Sequence, residues 1–178
     1  MFTALLTRRE LSLGLFSSLA TLGLLGPDAA AGAETSPSGG NGLSHNSEAI
    51  HQEVVIKASR DRVYRALTDA KQFREMTELS YHSVSTEISP EVGGAFSLFG
   101  GVIVGRHIEM APNQRLVQAW RETSWKPGAY SIASFQLNEV GSSTKVEFDH
   151  RGFPQGAGEH LAIGWKSHYW EPLQKYLS

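Results

Sequence analysis

The sequence predicts an α+β protein in which a curved antiparallel sheet packs against a long C-terminal helix. In residues 157–177, large side chains recur at every fourth position and form one stripe of a helix: Leu161, Trp165, Tyr169, Leu173 and Leu177. Seven short strand-like segments joined by tight turns precede this helix, which is typical of antiparallel pairing. Because a helix and a sheet bury their apolar faces against each other, we expect this helix to lie on the sheet.

The composition limits the classes of function. The chain has 178 residues, of which 40% are hydrophobic and 19% are charged, as in one soluble domain with an additional segment. A formal net charge of -2 gives no basic face for nucleic acid or anionic membranes. The absence of cysteine excludes disulfides, zinc–thiolate sites and thiol nucleophiles.

The first 33 residues are expected to be a targeting signal. Arg8 and Arg9 precede an apolar run, 11–25, which is shorter than the roughly 20 residues of a membrane span. Small residues at 31–33 follow, as at a signal-peptidase site. Residues 1–33 together resemble a twin-arginine export signal, with Leu11 in place of the usual Phe. The alternative is an amphipathic first helix or an uncleaved membrane anchor. The resemblance implies passage through the twin-arginine translocase, a periplasmic or secreted location and no stable membrane association after cleavage.

Residues 34–48 are rich in Ser, Gly, Asn and Pro and are predicted to form a flexible linker. The globular domain is then 49–178, which is large enough for one hydrophobic core.

The remaining elements follow from alternation, capping residues and turns. Strands are predicted at 50–57, 81–88, 95–99, 102–110, 116–123, 130–137 and 144–150. Ser59 is the expected N-cap of a short helix, 60–68, and Asp69 that of a second one reaching Met76. Pro172 is expected to kink the C-terminal helix near His168, because proline cannot donate a backbone hydrogen bond.

Several motifs in one order support a family resemblance. They are Pro90 to Phe96, Pro112, Trp120, Phe135-Gln136-Leu137, His150 to Pro154 and Gly164-Trp165. This order resembles the C-terminal-type domain of activators of the heat-shock-protein-90 ATPase, within the START and birch-pollen-allergen-like (SRPBCC) helix-grip superfamily. The resemblance covers residues 50–177. It implies a helix-grip fold: a seven-stranded antiparallel sheet wrapped around the C-terminal helix, with two short helices after the first strand.

The last strand indicates a cavity. Thr144, Val146, Phe148 and His150 share its apolar face, so His150 is expected to be carried towards the helix. There it could orient a bound ligand or act as a general acid or base. Alternatively, it hydrogen-bonds nearby backbone or opens to solvent.

Aromatic side chains of sheet and helix are the other candidate ligand contacts. The predicted ligand-binding set is His150, Phe96, Trp120, Phe135, Phe148, Trp165, Tyr169 and Arg106. The rings could instead pack together and leave no void. Arg106 could anchor a carboxylate or reach solvent.

No metal or cofactor site is predicted. The histidines form no His-Glu-x-x-His motif, and His160 and His168 are eight residues apart. No Gly-x-Ser-x-Gly elbow is present, and no catalytic residue is assigned.

Three functions remain open. The first is an exported protein that binds a small apolar or amphipathic molecule between sheet and helix. The second is an enzyme similar to the cyclases and aromatases among the related proteins, using the same cavity. The third is a co-activator of a chaperone ATPase, which the resemblance suggests but the export signal disfavours, since that ATPase is cytoplasmic.

Overall fold

A computed structural model describes residues 48–82 and 85–178. The predicted signal peptide, and the predicted linker up to residue 47, lie outside these residues. The last predicted linker residue, Glu48, is bonded to the domain: its carboxylate accepts the backbone N–H groups of Gly156 and Gly158 at 2.8 and 3.0 Å. It thereby satisfies amide groups at the start of the C-terminal helix.

The described part of the chain has the predicted α+β architecture. Its strands are β1 (Ala49–Ile56), β2 (Glu87–Ile88), β3 (Ala95–Leu98), β4 (Ile103–Ala111), β5 (Arg115–Glu122), β6 (Ser131–Val140) and β7 (Ser143–Arg151). All neighbouring strands pair antiparallel, in the order β1-β7-β6-β5-β4-β3-β2. The helices are α1 (Arg60–Thr68), α2 (Ala70–Thr77), α3 (Gly158–Trp165) and α4 (Glu171–Leu177). The helix-grip prediction is therefore confirmed.

The two short helices begin at the predicted caps. The Ser59 side chain accepts the N–H of Arg62, and the Asp69 side chain accepts the N–H of Gln72 at 2.9 Å. Each cap satisfies an amide that the helix itself leaves free. The helices follow β1 directly, and α1 packs against β6 and β7.

The C-terminal helix contains a π-helical turn, Lys166–Trp170, between α3 and α4. The N–H of Glu171 bonds the carbonyl of Lys166, and Pro172 has no N–H to offer the carbonyl of His168. The interruption lies where the sequence predicted a kink.

The same turn keeps the apolar stripe on the sheet. All five residues of the predicted stripe are buried. Residues spaced four apart drift by about 40° per step around an α-helix, and the additional residue of the π turn offsets this drift. Trp170, which the spacing missed, is buried beside Tyr169, and its Nε1 donates to Oε1 of Gln52 at 2.6 Å.

The structure corrects one strand prediction and decides which face of another strand is buried. The second strand is only Glu87–Ile88 rather than 81–88. In β4 the side chains of Val104, Arg106 and Ile108 face outwards, and the buried positions are Ile103, Gly105 and His107. The inner positions beside Gly105 carry Phe96 and Trp120, so the sheet interior here is filled by the rings of β3 and β5.

No helix in the described part of the chain combines the length and the hydrophobicity that a membrane span requires.

Replacement of Gly105 by alanine should lower the free energy of unfolding. A Cβ at this position would lie 2.1 Å from the Ala119 carbonyl oxygen and 2.3 Å from the Phe96 ring, so strand or ring must shift. We expect a loss of about 1–3 kcal/mol, measured by urea unfolding. Gly164→Ala is the matched control, because its added methyl group meets no atom within 4 Å. Equal stability of Gly105→Ala and the wild type would contradict this account of the packing.

Candidate ligand-binding cleft

A cleft of about 230 Å³ lies between the C-terminal helix and the sheet. Its sheet side is formed by the short 3-10 turn Phe99–Gly101, the start of β4 and the end of β5. Its helix side is formed by α3 and the π turn. The lining residues are Tyr81, Phe99, Val102, Ile103, Trp120, Glu122, His160, Leu161, Ile163, Gly164, Trp165, Ser167, His168 and Tyr169.

The cleft is mostly apolar. Trp120, Trp165 and Tyr169 are almost completely buried and form its floor. At the opening, Tyr81, Val102 and Ile163 are 42%, 46% and 60% exposed. An apolar molecule can therefore enter from solvent and gain contact with aromatic walls, which is the usual character of a small-molecule site.

Phe99 holds an unusual backbone conformation in the cleft wall. Its φ is 53°, in the left-handed region that a bulky side chain rarely adopts, and Gly100 and Gly101 follow with positive φ as well. This conformation packs the Phe99 ring edge-on against Phe73 and Tyr169, at centroid distances of 5.7 and 5.6 Å. Strained backbone of this kind costs of order 1–3 kcal/mol and is concentrated at functional sites.

Gly164 leaves the helix side of the cleft open. A Cβ on Gly164 would meet no atom within 4 Å. Glycine inside a helix is about 1 kcal/mol less favourable than alanine, so nothing in local helix stability favours it at this position. Because Gly164 lines the cleft, a larger side chain at this position would project into the space of the cleft.

Three buried polar atoms of the cleft residues lack a hydrogen-bond partner. They are the Trp120 Nε1, the Tyr169 hydroxyl and the His168 Nδ1. The Trp120 N–H lies close enough to the Tyr169 hydroxyl to counter slightly the effect of burial, which raises the pKa of Tyr169. The pair nevertheless has no hydrogen bond of good geometry. Unmet buried polar groups of this kind cost about 1–3 kcal/mol each.

At the mouth of the cleft, a histidine of the helix contacts a carboxylate of the sheet. His160 Nε2 lies 3.3 Å from Glu122 Oε1, and the Glu122 side chain is only 18% exposed. The helix is thus linked to the end of β5 across the opening.

His150 lies in the core behind the cleft and has a complete set of hydrogen bonds. Its Nδ1 accepts the Trp165 indole N–H at 3.0 Å, and its Nε2 lies 2.6 Å from the Ser131 Oγ. Indole N–H only donates, so the imidazole proton must be on Nε2 and is donated to Ser131. Ser131 then donates to the Trp120 carbonyl at 2.9 Å. This polar relay positions both tryptophans of the cleft.

Burial lowers the pKa of His150 to about 4. Both ring nitrogens are occupied by protein groups and the side chain is fully buried. His150 therefore has no free nitrogen with which to contact a ligand or transfer a proton.

Of the other predicted ligand contacts, some line the cleft and some lie in the core behind it. Trp120, Trp165 and Tyr169 line the cleft. Phe135 and Phe148 lie in the core, with ring centroids 5.8 and 4.3 Å from that of Trp165.

The two remaining candidates lie away from the cleft. Phe96 covers Gly105 and packs against His107 at 5.4 Å. Arg106 is exposed and donates to the Gly93 carbonyl at 2.9 Å. The outward register of β4 explains the position of Arg106.

The sequence did not select several cleft residues. These residues are Phe99, Ile103, Leu161 and His168. Of them, only Leu161 had been predicted to face the sheet, as part of the helical stripe. The expected kink near His168 was a usable signal, since π turns often occur at functional sites.

A second buried histidine lies deeper in the sheet. Both ring nitrogens of His107 are without a hydrogen-bond partner, and burial lowers its pKa. Among residues 48–82 and 85–178, no three His, Cys, Asp or Glu side chains are grouped so that they could hold a metal ion.

Comparison with known proteins identifies the family. The family model described as Activator of Hsp90 ATPase homolog 1-like protein matches residues 57–178. The chain belongs to this family. The Activator of Hsp90 ATPase homolog 1-like domain thus covers nearly the whole of the described fold.

Individual relatives are distant and some are much longer. The human activator of 90 kDa heat shock protein ATPase homolog 1 is 24% identical over 126 residues, which are 71% of this chain and 36% of the human protein. The chain therefore spans about a third of the length of that curated relative.

Solved structures share the fold. An HSP90 activator from Plasmodium falciparum superposes with a TM-score of 0.67 at 23% identity, covering 72% of this chain and 95% of that one. CalU16 from Micromonospora echinospora gives a TM-score of 0.62 at 20% identity, covering 74% of this chain and 77% of that one.

The environment of His150 generates a prediction about pH. Because its folded-state pKa of about 4 lies below the ordinary value of 6.5, the unfolded chain binds a proton that the folded chain does not. The contribution of neutral His150 to the free energy of unfolding is complete above pH 6.5. It is lost as the pH falls from 6.5 to about 4. The loss should amount to about 3 kcal/mol of unfolding free energy.

Nitrogen NMR of the histidine rings and urea unfolding between pH 4.5 and 7.5 provide the measurements. His150 should remain the neutral Nε2–H form at pH 5, and the pH dependence should be smaller in His150→Asn than in the wild type. A His150 ring that becomes protonated near pH 6.5 would disprove the relay.

Proposed function

We propose that this protein is an exported binding protein for a small apolar or amphipathic molecule, held in the cleft between the sheet and the C-terminal helix. The observation that carries the proposal is the cleft itself, with its aromatic floor and exposed apolar rim. Ligand-binding proteins are typical of this fold, although a fold alone does not define a function.

The local features of the cleft support binding. Gly164, the π turn and the backbone of Phe99 each replace a more stable local structure, and all three border the same space. An ordinary closed core requires none of them, since protein interiors are normally filled to high density.

Catalysis has less support. His150 was the candidate acid or base, and its ring nitrogens are bonded to Trp165 and Ser131. Activation of a chaperone ATPase is the function stated in the names of longer relatives, of which this chain matches about a third. Binding is therefore the function that we favour.

Blocking the cleft should abolish ligand binding. In Gly164→Phe, the ring should fill the space next to Gly164 and weaken the binding of naphthalene by about tenfold or more, as seen by ligand-observed NMR. Gly164→Ala adds only a methyl group and serves as the matched control, which should retain binding. Native mass spectrometry of the purified protein adds a second measurement, because a bound natural ligand should appear as excess mass that disappears on unfolding. Equal naphthalene binding by all three proteins, or by none of them, would refute the proposal.

Export should depend on the arginine pair. The double substitution Arg8→Lys and Arg9→Lys keeps the charge but removes the guanidinium groups that define the signal. We expect the protein to accumulate in the cytoplasm, as measured by cell fractionation and immunoblotting. Lys57→Arg, in the domain, is a control for substitution between these two residue types and should leave export intact. Unchanged export of the double variant would exclude the twin-arginine route.

A further inference from the structure

A carboxylate lies on the inner face of the sheet, at the mouth of the cleft. Glu122 follows Trp120 by two residues on β5, so both side chains project from the same face, towards Trp165 of the helix. Glu122 is paired with Ile103 of β4, and both residues line the cleft. The Glu122 side chain is only 18% exposed. A charged group therefore ends a row of β5 whose preceding members are buried.

This carboxylate has no permanent cation as a partner among the residues that the structure describes. The His160 Nε2 lies 3.3 Å from its Oε1, and Ser124 donates a hydrogen bond to its Oε2 at 3.2 Å. An imidazole is charged only when protonated, and the His160 side chain is 77% exposed. The neighbouring Arg121 donates instead to the Trp125 carbonyl at 2.8 Å. A mostly covered carboxylate without a permanent counter-ion is costly, because water no longer solvates it fully.

The other lining residues add no permanent positive charge. None of those that the structure describes is lysine or arginine. The second histidine of the lining, His168, packs edge-on against the rings of Tyr81 and Phe99, at centroid distances of 5.8 and 6.1 Å. When both histidines are neutral, the described lining carries the single negative charge of Glu122. This charge attracts a cation to the mouth of the cleft and repels an anion.

The aromatic walls favour the same kind of ligand. Trp120, Trp165 and Tyr169 form the floor, and Tyr81 and Phe99 lie above it. The faces of such rings attract organic cations, including quaternary ammonium groups, and the attraction is largest where the cation is partly removed from water. A volume of about 230 Å³ is below the range of roughly 300–1,000 Å³ found for larger ligands, so one ring or a short branched alkyl group fits.

We infer that the cleft selects a small organic cation, an aryl- or alkylammonium whose apolar part lies on the aromatic floor and whose charged head lies beside Glu122. This inference rests on the proposed binding function and specifies the charge of the ligand. At the mouth the ammonium head keeps part of its hydration, so no isolated charge enters the interior. The mostly exposed His160 ring can turn aside for the head without loss of core packing.

Two probes with permanent charges of opposite sign test the inference on the full chain. They are benzyltrimethylammonium and phenylmethanesulfonate, titrated by ligand-observed NMR at pH 8.5, where imidazole is uncharged. The ammonium should bind about tenfold or more tightly than the sulfonate. Gly164→Phe should weaken ammonium binding by a similar factor, and Gly164→Ala should retain it. Equal affinity for the two probes, tighter binding of the sulfonate, or an ammonium affinity that Gly164→Phe leaves unchanged would overturn the inference.

Glu122→Gln provides the decisive variant, because it removes the charge but keeps the size of the side chain. It should weaken the binding of benzyltrimethylammonium roughly 3- to 30-fold and leave that of naphthalene within about twofold. Glu109→Gln is the matched control with the same change in net charge. Glu109 pairs with Arg115 at 3.2 Å outside the cleft, so this variant should leave the affinities for both molecules unchanged.

The outcomes separate this inference from the binding function. If naphthalene binds and Gly164→Phe blocks it, but the ammonium has no advantage over the sulfonate, the charge preference is wrong and the binding function stands. If neither naphthalene nor the ammonium binds, both are wrong. An ammonium affinity that survives Glu122→Gln, or that falls equally in Glu109→Gln, would overturn the role of Glu122. An equal loss of ammonium and naphthalene binding in Glu122→Gln would overturn it too, since Glu122 would then shape the cleft without selecting charge.

Discussion

The hydrogen-bond relay through His150 joins the C-terminal helix to three strands of the sheet. Trp165 on the helix donates to His150 on β7, which donates to Ser131 on β6, which donates to the Trp120 carbonyl on β5. Each donor and acceptor in this series is buried and satisfied, so removal of any member leaves another unpaired. The relay sets the positions of both tryptophans of the cleft and thus the distance between helix and sheet.

Behind the relay the core is closed, whereas in front of it a space remains. Phe135 and Phe148 pack against the Trp165 ring on the closed side. On the open side, the chain keeps a glycine in a helix, a π-helical turn and a phenylalanine with positive φ. Each of these features sacrifices local stability, and their convergence on one cleft is the pattern expected of a site selected for function rather than for packing.

Membership of the Activator of Hsp90 ATPase homolog 1-like family accounts for the fold but not for the ligand. Proteins that share this fold at 20 to 23% identity include an HSP90 activator and CalU16. On the proposed function, the selectivity of the cleft comes from the few side chains that border it. In this chain those side chains supply mainly aromatic surface, and none of the described lining residues is lysine or arginine.

Periodicity was sufficient to predict the architecture, because alternation and helical spacing are local properties of the chain. The buried stripe of the C-terminal helix, the inner face of β7 and the two capped short helices could all be predicted in this way. The site could be predicted only in part: the sequence selected Trp120, Trp165 and Tyr169, but it also selected His150, whose hydrogen-bond partners come from two other elements. The face of β4, the partners of His150 and the position of the cleft depend on contacts between residues far apart in the chain. Such contacts leave no periodic signal, so only the tertiary structure decided which aromatic residues fill the core and which border the cleft.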